Sequence, residues 1–207
     1  MREHRVFAAL YDRLGRRAER GALGARRREL LRGASGRVLE VGAGTGANLA
    51  HYPALERLTL TEPDAAMRRR LTTRAAGSSF PVEVREAPAE DLPVGGATVD
   101  AVVCTLVLCS VDDPARALAE MRRVLRPGGR LLFLEHVRAE GRAGRWQDRI
   151  TPLSRRLFAG CHPNRDTVAA IRGAGFGITS LRTLADVPAA PWGRPIVAGV
   201  ALAPAEA

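Results

Sequence analysis

The sequence predicts an α/β fold on a mostly parallel sheet, and three observations carry that reading. Short apolar runs alternate with helix-period segments along most of the 207 residues. The first run leads straight into a glycine-rich turn, Gly42-Ala43-Gly44-Thr45-Gly46. A longer run, Val99–Leu108, is apolar enough for a strand covered on both faces.

The elements follow in order. Val6, Phe7, Leu10, Tyr11 and Leu14 share one helical stripe. A second helical stretch ends near Leu30–Leu31, where Gly33-Ala34-Ser35-Gly36 breaks it. Arg37–Val41 is the first strand, followed by the glycine turn and a helix. Leu58–Thr61 is the second strand, and Pro63-Asp64 opens a helix to about Arg74, proline being suited to a first helical turn. Val82–Val84 and Val99–Leu108 are the third and fourth strands. Asp113-Pro114 starts a helix with the acid at its positive end, and Pro127-Gly128-Gly129 stops it. Leu131–Val137 is the fifth strand. Asn164–Arg172 is a helix ended by Gly173, and Ile178–Leu184 and Ile196–Ala203 pair as a closing hairpin. Residues 138–165 interrupt the alternation just beyond a strand's carboxyl end, where ligands bind in such sheets. They are the expected substrate lid. Residues 1–35 form an amphipathic helical segment, a lid or surface contact, ahead of a binding domain over 36–207.

Composition narrows the function classes. At 46% apolar and 26% charged residues, disorder is excluded as the main state. No apolar run approaches the roughly 18 residues a membrane helix needs, and the Met-Arg-Glu-His-Arg start is no signal peptide. Cys104, Cys109 and Cys161 are too scattered for a disulfide framework or a zinc pattern, so no metal is expected, and a reducing cytoplasm fits. The net charge is +10, and every basic side chain is Arg. Residues 1–32 hold ten Arg against four acids, an excess that reads as solvated surface or as a peripheral contact with an anionic membrane. No aromatic–basic interleaving supports a nucleic-acid partner.

The sharpest motif is Val38-Leu39-Glu40-Val41-Gly42-Ala43-Gly44-Thr45-Gly46. The dinucleotide fingerprint is G-x-G-x-x-G; here the third glycine comes one residue early, with an acid two residues before the first. That spacing resembles the class I S-adenosylmethionine-dependent methyltransferases. Longer strings narrow the resemblance: Cys104-Thr-Leu-Val-Leu-Cys-Ser110, Arg123-Val-Leu-Arg-Pro-Gly-Gly129, Glu135-His-Val137, Trp146-Gln147 and Phe158-Ala-Gly-Cys161. They are similar to the membrane-anchored thiol S-methyltransferases of the methyltransferase-like group and their small bacterial relatives, over roughly residues 36–200. The anchored members begin with a hydrophobic segment, where this chain has its arginine-rich start.

The resemblance implies a Rossmann-like fold: a seven-stranded, mostly parallel sheet with helices on both faces and a terminal antiparallel hairpin. It implies S-adenosylmethionine as cofactor and a small-molecule acceptor, with a thiol favoured. The alternatives are O-, N- or C-methylation of a lipid, quinone-like or natural-product acceptor, and a cofactor-binding partner without catalysis. Gly42, Ala43, Gly44, Thr45 and Asn48 would cradle the cofactor, their backbone N–H groups taking its carboxylate. Glu40 would approach its ammonium, and Glu62, beside Pro63, would accept from the ribose hydroxyls. Pro88 stands where relatives often carry an Asp for the adenine amine, so the adenine contact would come from backbone, with Ala89 and Glu90 nearest. Cys104, Thr105 and Leu106 would face the sulfonium. His136, at the carboxyl end of the fifth strand, is the candidate base. Phe7, Tyr11, Trp146 and His162 are the candidate acceptor contacts.

Overall fold

Alternating side chains build the sheet from the inside. Leu39 and Val41, Val102 and Cys104, and Leu131 and Phe133 point to one face, while Val38, Ala101, Val103 and Leu132 point to the other. In the computed structural model, which describes residues 19–158, 160–187 and 193–205, these strands are β1 (Arg37–Val41), β2 (Arg57–Thr61), β3 (Val82–Arg85), β4 (Val99–Thr105) and β5 (Leu125–His136). With β6 (Gly177–Thr183) and β7 (Ile196–Leu202) they form one seven-stranded sheet in the order β3-β2-β1-β4-β5-β7-β6. Pairings among β1–β5 are parallel, and β7 runs antiparallel to both β5 and β6. Chain order reverses between β1 and β4, so the crevice beyond their carboxyl ends is the place for a ligand.

The helices are α1 (Ala22–Leu31), α2 (Ala65–Ala75), α3 (Pro114–Val124), α4 (Gly141–Leu157) and α5 (Thr167–Gly173). Leu31 and Leu71 put α1 and α2 in the core on one face; Leu118, Met121 and Ile171 put α3 and α5 on the other. Leu31 and Ala34 are buried there, so residues 19–35 share the core of the sheet domain. Asp113 caps α3 through Ala115 N–H and Arg116 N–H, with Pro114 in the first turn.

The structure corrects several element bounds. Asp64, not Pro63, starts α2: its carboxylate accepts from Ala66 N–H and Met67 N–H. The helix expected after the glycine turn is a single 3-10 turn, Leu49–His51. Pro53 ends it, because the residue before proline is held extended, and Tyr52 has φ −69° and ψ 139°. β4 stops at Thr105, where Leu106 turns left-handed at φ +60°. β5 starts six residues early: Leu125 pairs with Val99, Arg126-Pro127-Gly128-Gly129 bulges out, and Arg130 resumes opposite Ala101. Asn164 lies outside α5, which Asp166 caps through Ala169 N–H. The expected lid is mainly α4. The stripe of Val6, Phe7, Leu10, Tyr11 and Leu14 lies outside the described residues.

Gly199 of β7 faces Phe133, and a Cβ there would stand 2.5 Å from Phe133 Cζ and 2.5 Å from Ser180 O. Gly199→Ala is therefore expected to lower unfolding stability by about 1–3 kcal/mol through overpacking, read by urea titration. An unchanged midpoint contradicts this packing.

Candidate functional site

The glycine turn sits on the carboxyl end of β1. Gly42, Gly44 and Gly46 adopt φ of +62°, +58° and +89°, a region glycine enters without steric cost. A Cβ on Gly42 would lie 2.7 Å from Val107 Cγ2, so the segment after β4 closes tightly on the turn. A Cβ on Gly44 would meet nothing nearer than Met67 Sδ at 4.0 Å, which leaves its backbone open to a ligand. Three amides of the turn are engaged within the protein. Ala43 N–H donates to Thr61 O (2.9 Å), Gly44 N–H to Glu62 Oε2 (2.8 Å) and Gly46 N–H to Ala43 O (2.9 Å). Ala43 and Gly44, two of the five expected contacts, thus already have partners for their N–H groups.

Glu62 is buried at the end of β2. Its Oε1 accepts from Asp64 N–H and its Oε2 from Gly44 N–H, both at 2.8 Å. A carboxylate oxygen has two lone pairs, so each can still accept from a hydroxyl. Burial raises its pKa, against the pull of those two amides. Pro63 holds the turn by accepting Arg68 Nη1 on its carbonyl (3.0 Å).

Glu40 lies one strand over, in a buried polar chain. It accepts from Asn48 Nδ2 (2.9 Å) and from the Tyr52 hydroxyl (2.7 Å). Asn48 Nδ2 also donates to Thr105 Oγ1 (3.0 Å). Arg27 of α1, only 2% exposed, donates through Nη1 to Asn48 Oδ1 (3.0 Å) and Thr105 Oγ1 (2.7 Å), and through Nε to Glu19. Burial pushes the Glu40 carboxyl up to about 7, although Tyr52, Asn48 and Arg27 all favour its charged form. Thr45 is held on its flank by Arg74, whose Nη1 donates to Thr45 O and Oγ1.

Glu135 of β5 organises the segment after β4. Its Oε1 accepts from Val107 N–H (2.8 Å), Leu108 N–H (3.1 Å) and the Cys104 thiol (3.4 Å), and its Oε2 from Cys109 N–H (3.4 Å). Cys104 thus faces Glu135, and Thr105 belongs to the Arg27–Asn48 chain. Leu106 is strained, which is uncommon for a bulky residue, and it hands its N–H to Leu134 O. Ala89 is buried in the core. The Glu90 side chain braces the start of α3, its Oε1 accepting from Asp112 N–H (3.0 Å) and Asp113 N–H (3.1 Å); the backbone there is the part expected near an adenine.

At the end of β5, His136 Nδ1 lies 3.7 Å from Cys161 Sγ. Cys109 joins them, the three ligand atoms all lying within 4.8 Å of one another. The scattered cysteine spacing gave no sign of this cluster. Burial pulls the His136 pKa down, but the Cys109 thiol and the nearby Glu135 charge leave it above its ordinary value. Cys161 is lowered, chiefly by its hydrogen bond with Cys109, and Cys109 is raised. His162 follows Cys161, its N–H on Cys109 O (2.6 Å), and burial lowers its pKa. Trp146 lies on α4, 41% exposed. The neighbouring Gln147 is buried and bridges Ala139 N–H to the carbonyls of Pro163 and Arg194. Phe7 and Tyr11 lie outside the described residues.

Sequence reading missed Arg27, Tyr52, Glu135 and the convergence of the two thiols on His136. Arg27 is one of three consecutive arginines, and nothing in the string marks which one turns inward.

Residues 39–133 match the family model for the methyltransferase domain. The chain is 42% identical over 153 residues to the human thiol S-methyltransferase TMT1B, covering 70% of this chain and 63% of that one. It is 35% identical over 105 residues to a phosphatidylethanolamine N-methyltransferase of Cereibacter sphaeroides, about half of each chain (49% and 51%). The chain thus spans less than two thirds of the length of these curated relatives. A crystal structure of a SAM-dependent methyltransferase from Thermotoga maritima superposes with a TM-score of 0.73 over 96% of this chain and 97% of that one, at 23% identity.

Proposed function

We propose that the protein, whose residues 39–133 match the family model for the methyltransferase domain and whose sheet has the Rossmann-like class I order, is an S-adenosylmethionine-dependent methyltransferase acting on a small-molecule thiol. The observation that carries the cofactor reading is the buried pair Glu40 and Arg27, joined through Asn48 beside the glycine turn. The cofactor's amino-acid end is a zwitterion. Glu40 takes its ammonium and Arg27 its carboxylate. Glu62, two strands from β4 across the switch point, keeps lone pairs for the two ribose hydroxyls. When bound, S-adenosylmethionine supplies a methyl group already activated on a sulfonium.

The protein's work is then alignment of the acceptor with that methyl. A free thiol with a pKa of about 8.5 leaves a few per cent thiolate at neutral pH, and that thiolate is strongly nucleophilic. His136, at the carboxyl end of β5, is the candidate base for the acceptor's proton in the absence of a metal. The thiol preference rests on similarity to TMT1B. The test is S-adenosylhomocysteine production on a panel of small thiols, phenols and amines, with a no-acceptor control. Turnover with thiols alone supports the reading. Turnover with phenols or amines but not thiols overturns the acceptor class, and cofactor binding without any turnover leaves a non-catalytic partner.

One observation favours a second reading, a lipid-like or quinone-like acceptor reached from an anionic membrane. α4 buries Gly144, Gln147, Thr151 and Ser154, while Trp146, Leu153 and Leu157 are exposed, with Phe158 next to them. Arg142, Arg145, Arg149, Arg155 and Arg156 are exposed on the same helix, as on interfacial helices. No helix among the described residues is long and apolar enough to cross a membrane. The expected result on this reading is co-sedimentation with anionic vesicles, reduced at least about tenfold in Leu153→Glu/Leu157→Glu, since loss of buried apolar area weakens interfacial binding. Equal sedimentation of both proteins removes it.

A further inference from the structure

We infer that Cys109, His136 and Cys161 form a three-ligand site for a thiophilic divalent ion of the zinc class, whose fourth position takes the acceptor sulfur. The inference rests on the thiol reading above and adds to it the group that would ionise the acceptor.

The ligands come from three separate segments that close on one point. Cys109 sits in the turn after β4, His136 ends β5, and Cys161 lies in the turn after α4. Their ligand atoms lie within 4.8 Å of one another. Tetrahedral zinc with metal–sulfur bonds of about 2.3 Å and metal–nitrogen bonds of about 2.0–2.1 Å separates sulfur from nitrogen by about 3.6 Å. The His136 Nδ1 to Cys161 Sγ distance is already 3.7 Å. Contacts that need no metal hold the frame. Glu135 pins the amides of Val107, Leu108 and Cys109. His162 N–H on Cys109 O (2.6 Å) stitches the second turn to the first. Arg165 donates through Nη1 to Leu108 O (2.7 Å) and Val111 O (2.8 Å), which ties the segment after Cys161 to the turn that carries Cys109.

Three protein ligands of the Cys2His kind leave one position open, the pattern of a catalytic rather than a structural zinc. Two cysteine thiolates and a neutral imidazole cancel the charge of the ion. An acceptor thiol that binds in the fourth position loses its proton to solvent water and stays as a metal-bound thiolate, nucleophilic at neutral pH. A lone pair of that sulfur forms the new carbon–sulfur bond, and the electron pair of the breaking methyl–sulfonium bond stays on the departing sulfur. The product thioether is neutral, a weaker ligand than a thiolate, so water displaces it. No oxidant or reductant takes part. The cluster also lies where the reaction requires it: Val107, two residues before Cys109, packs against Gly42 of the cofactor turn.

The test is titration of the fully reduced, full-length protein with Co2+ and Zn2+. One equivalent of cobalt is expected to give the intense visible bands of a tetrahedral site and a thiolate charge-transfer band, both bleached by zinc. Zinc should also protect two of the three cysteines from a thiol reagent. An added alkyl thiol should shift the cobalt bands as it enters the fourth position. Cys161→Ala and His136→Ala should each lose the tetrahedral spectrum while keeping the far-UV circular dichroism of the parent. Absence of uptake by the reduced protein overturns the site, as does an unaltered spectrum in folded Cys161→Ala. If a variant fails to fold, the protection pattern of the parent protein decides. A spectrum that ignores the thiol overturns the acceptor role. If metal binds and the thiol shifts its bands, but no acceptor yields S-adenosylhomocysteine, the methyl-transfer reading fails and the metal site stands.

Discussion

Taking the protein from pH 7.5 to pH 5 is expected to weaken S-adenosylhomocysteine binding by at least about tenfold, because Glu40, with its pKa pushed up to about 7, goes from mostly ionised to mostly protonated across that interval. The ligand's ammonium stays charged over this range, so the protein's carboxylate sets the slope. The sign follows from the partner. A cation binds the ionised form, so affinity rises with pH up to about 7 and levels off above it. Tyr52 does not share the transition: burial pushes its own pKa up, and it remains a donor to Glu40 throughout. Stability of the ligand-free protein runs the other way. The folded-state pKa of Glu40 lies above the ordinary value of 4.5, so its contribution is fully present below 4.5 and is lost as pH rises through about 7. The rise in melting temperature produced by the ligand should therefore grow with pH. Glu40→Gln should bind weakly at every pH and lose the slope. Calorimetric titration at several pH values checks both, and a flat profile in the parent protein removes Glu40 from the ammonium.

Much of this arrangement was legible in the string, for physical reasons that also mark where legibility ends. Strand–turn–helix alternation is local, so β1, β2, β4 and the β6–β7 hairpin fall within a few residues of their expected places. The glycine turn and Glu62 were legible because torsions and an acid at a strand end are written in consecutive residues. Two departures came from the surroundings of the segment. Leu106 ends β4 because its N–H has a partner in Leu134 O and its side chain packs against the cluster of Leu23, Leu134, Leu184, Val187 and Ile196. The turn after Gly46 does not become a helix, as Pro53 stops it and Asn48 is drawn to Glu40 and Thr105. The Cys109–His136–Cys161 cluster had no local signature. Its members stand 27 and 25 residues apart and meet only once the sheet orders their segments.

Removing the Glu135 carboxylate is expected to be the most damaging single change to both stability and the site. The side chain is fully buried and accepts from three consecutive backbone amides and one thiol. Water cannot replace it without entering the core between β4 and β5. Glu135→Ala leaves the Val107 and Leu108 amides as buried donors without an acceptor, at about 1–3 kcal/mol for each. The total should come to roughly 3–5 kcal/mol, a large share of the stability of an ordinary domain. Glu135→Gln keeps one oxygen for Val107 and Leu108 but sets an amide NH2 towards Cys109 N–H, donor against donor, so its loss should be intermediate. Function should fall further than stability explains. The same three amides hold Val107 on Gly42 and Cys109 beside His136, and release of that segment separates the cofactor turn from the acceptor end. Urea unfolding gives the stability change, and hydrogen exchange at residues 107–109 shows whether the loss is local. The expected pattern is a loss of protection at those amides in conditions where β1 and β4 remain protected. A loss under about 1 kcal/mol with unchanged exchange would sink the assignment of Glu135 as the anchor of this segment.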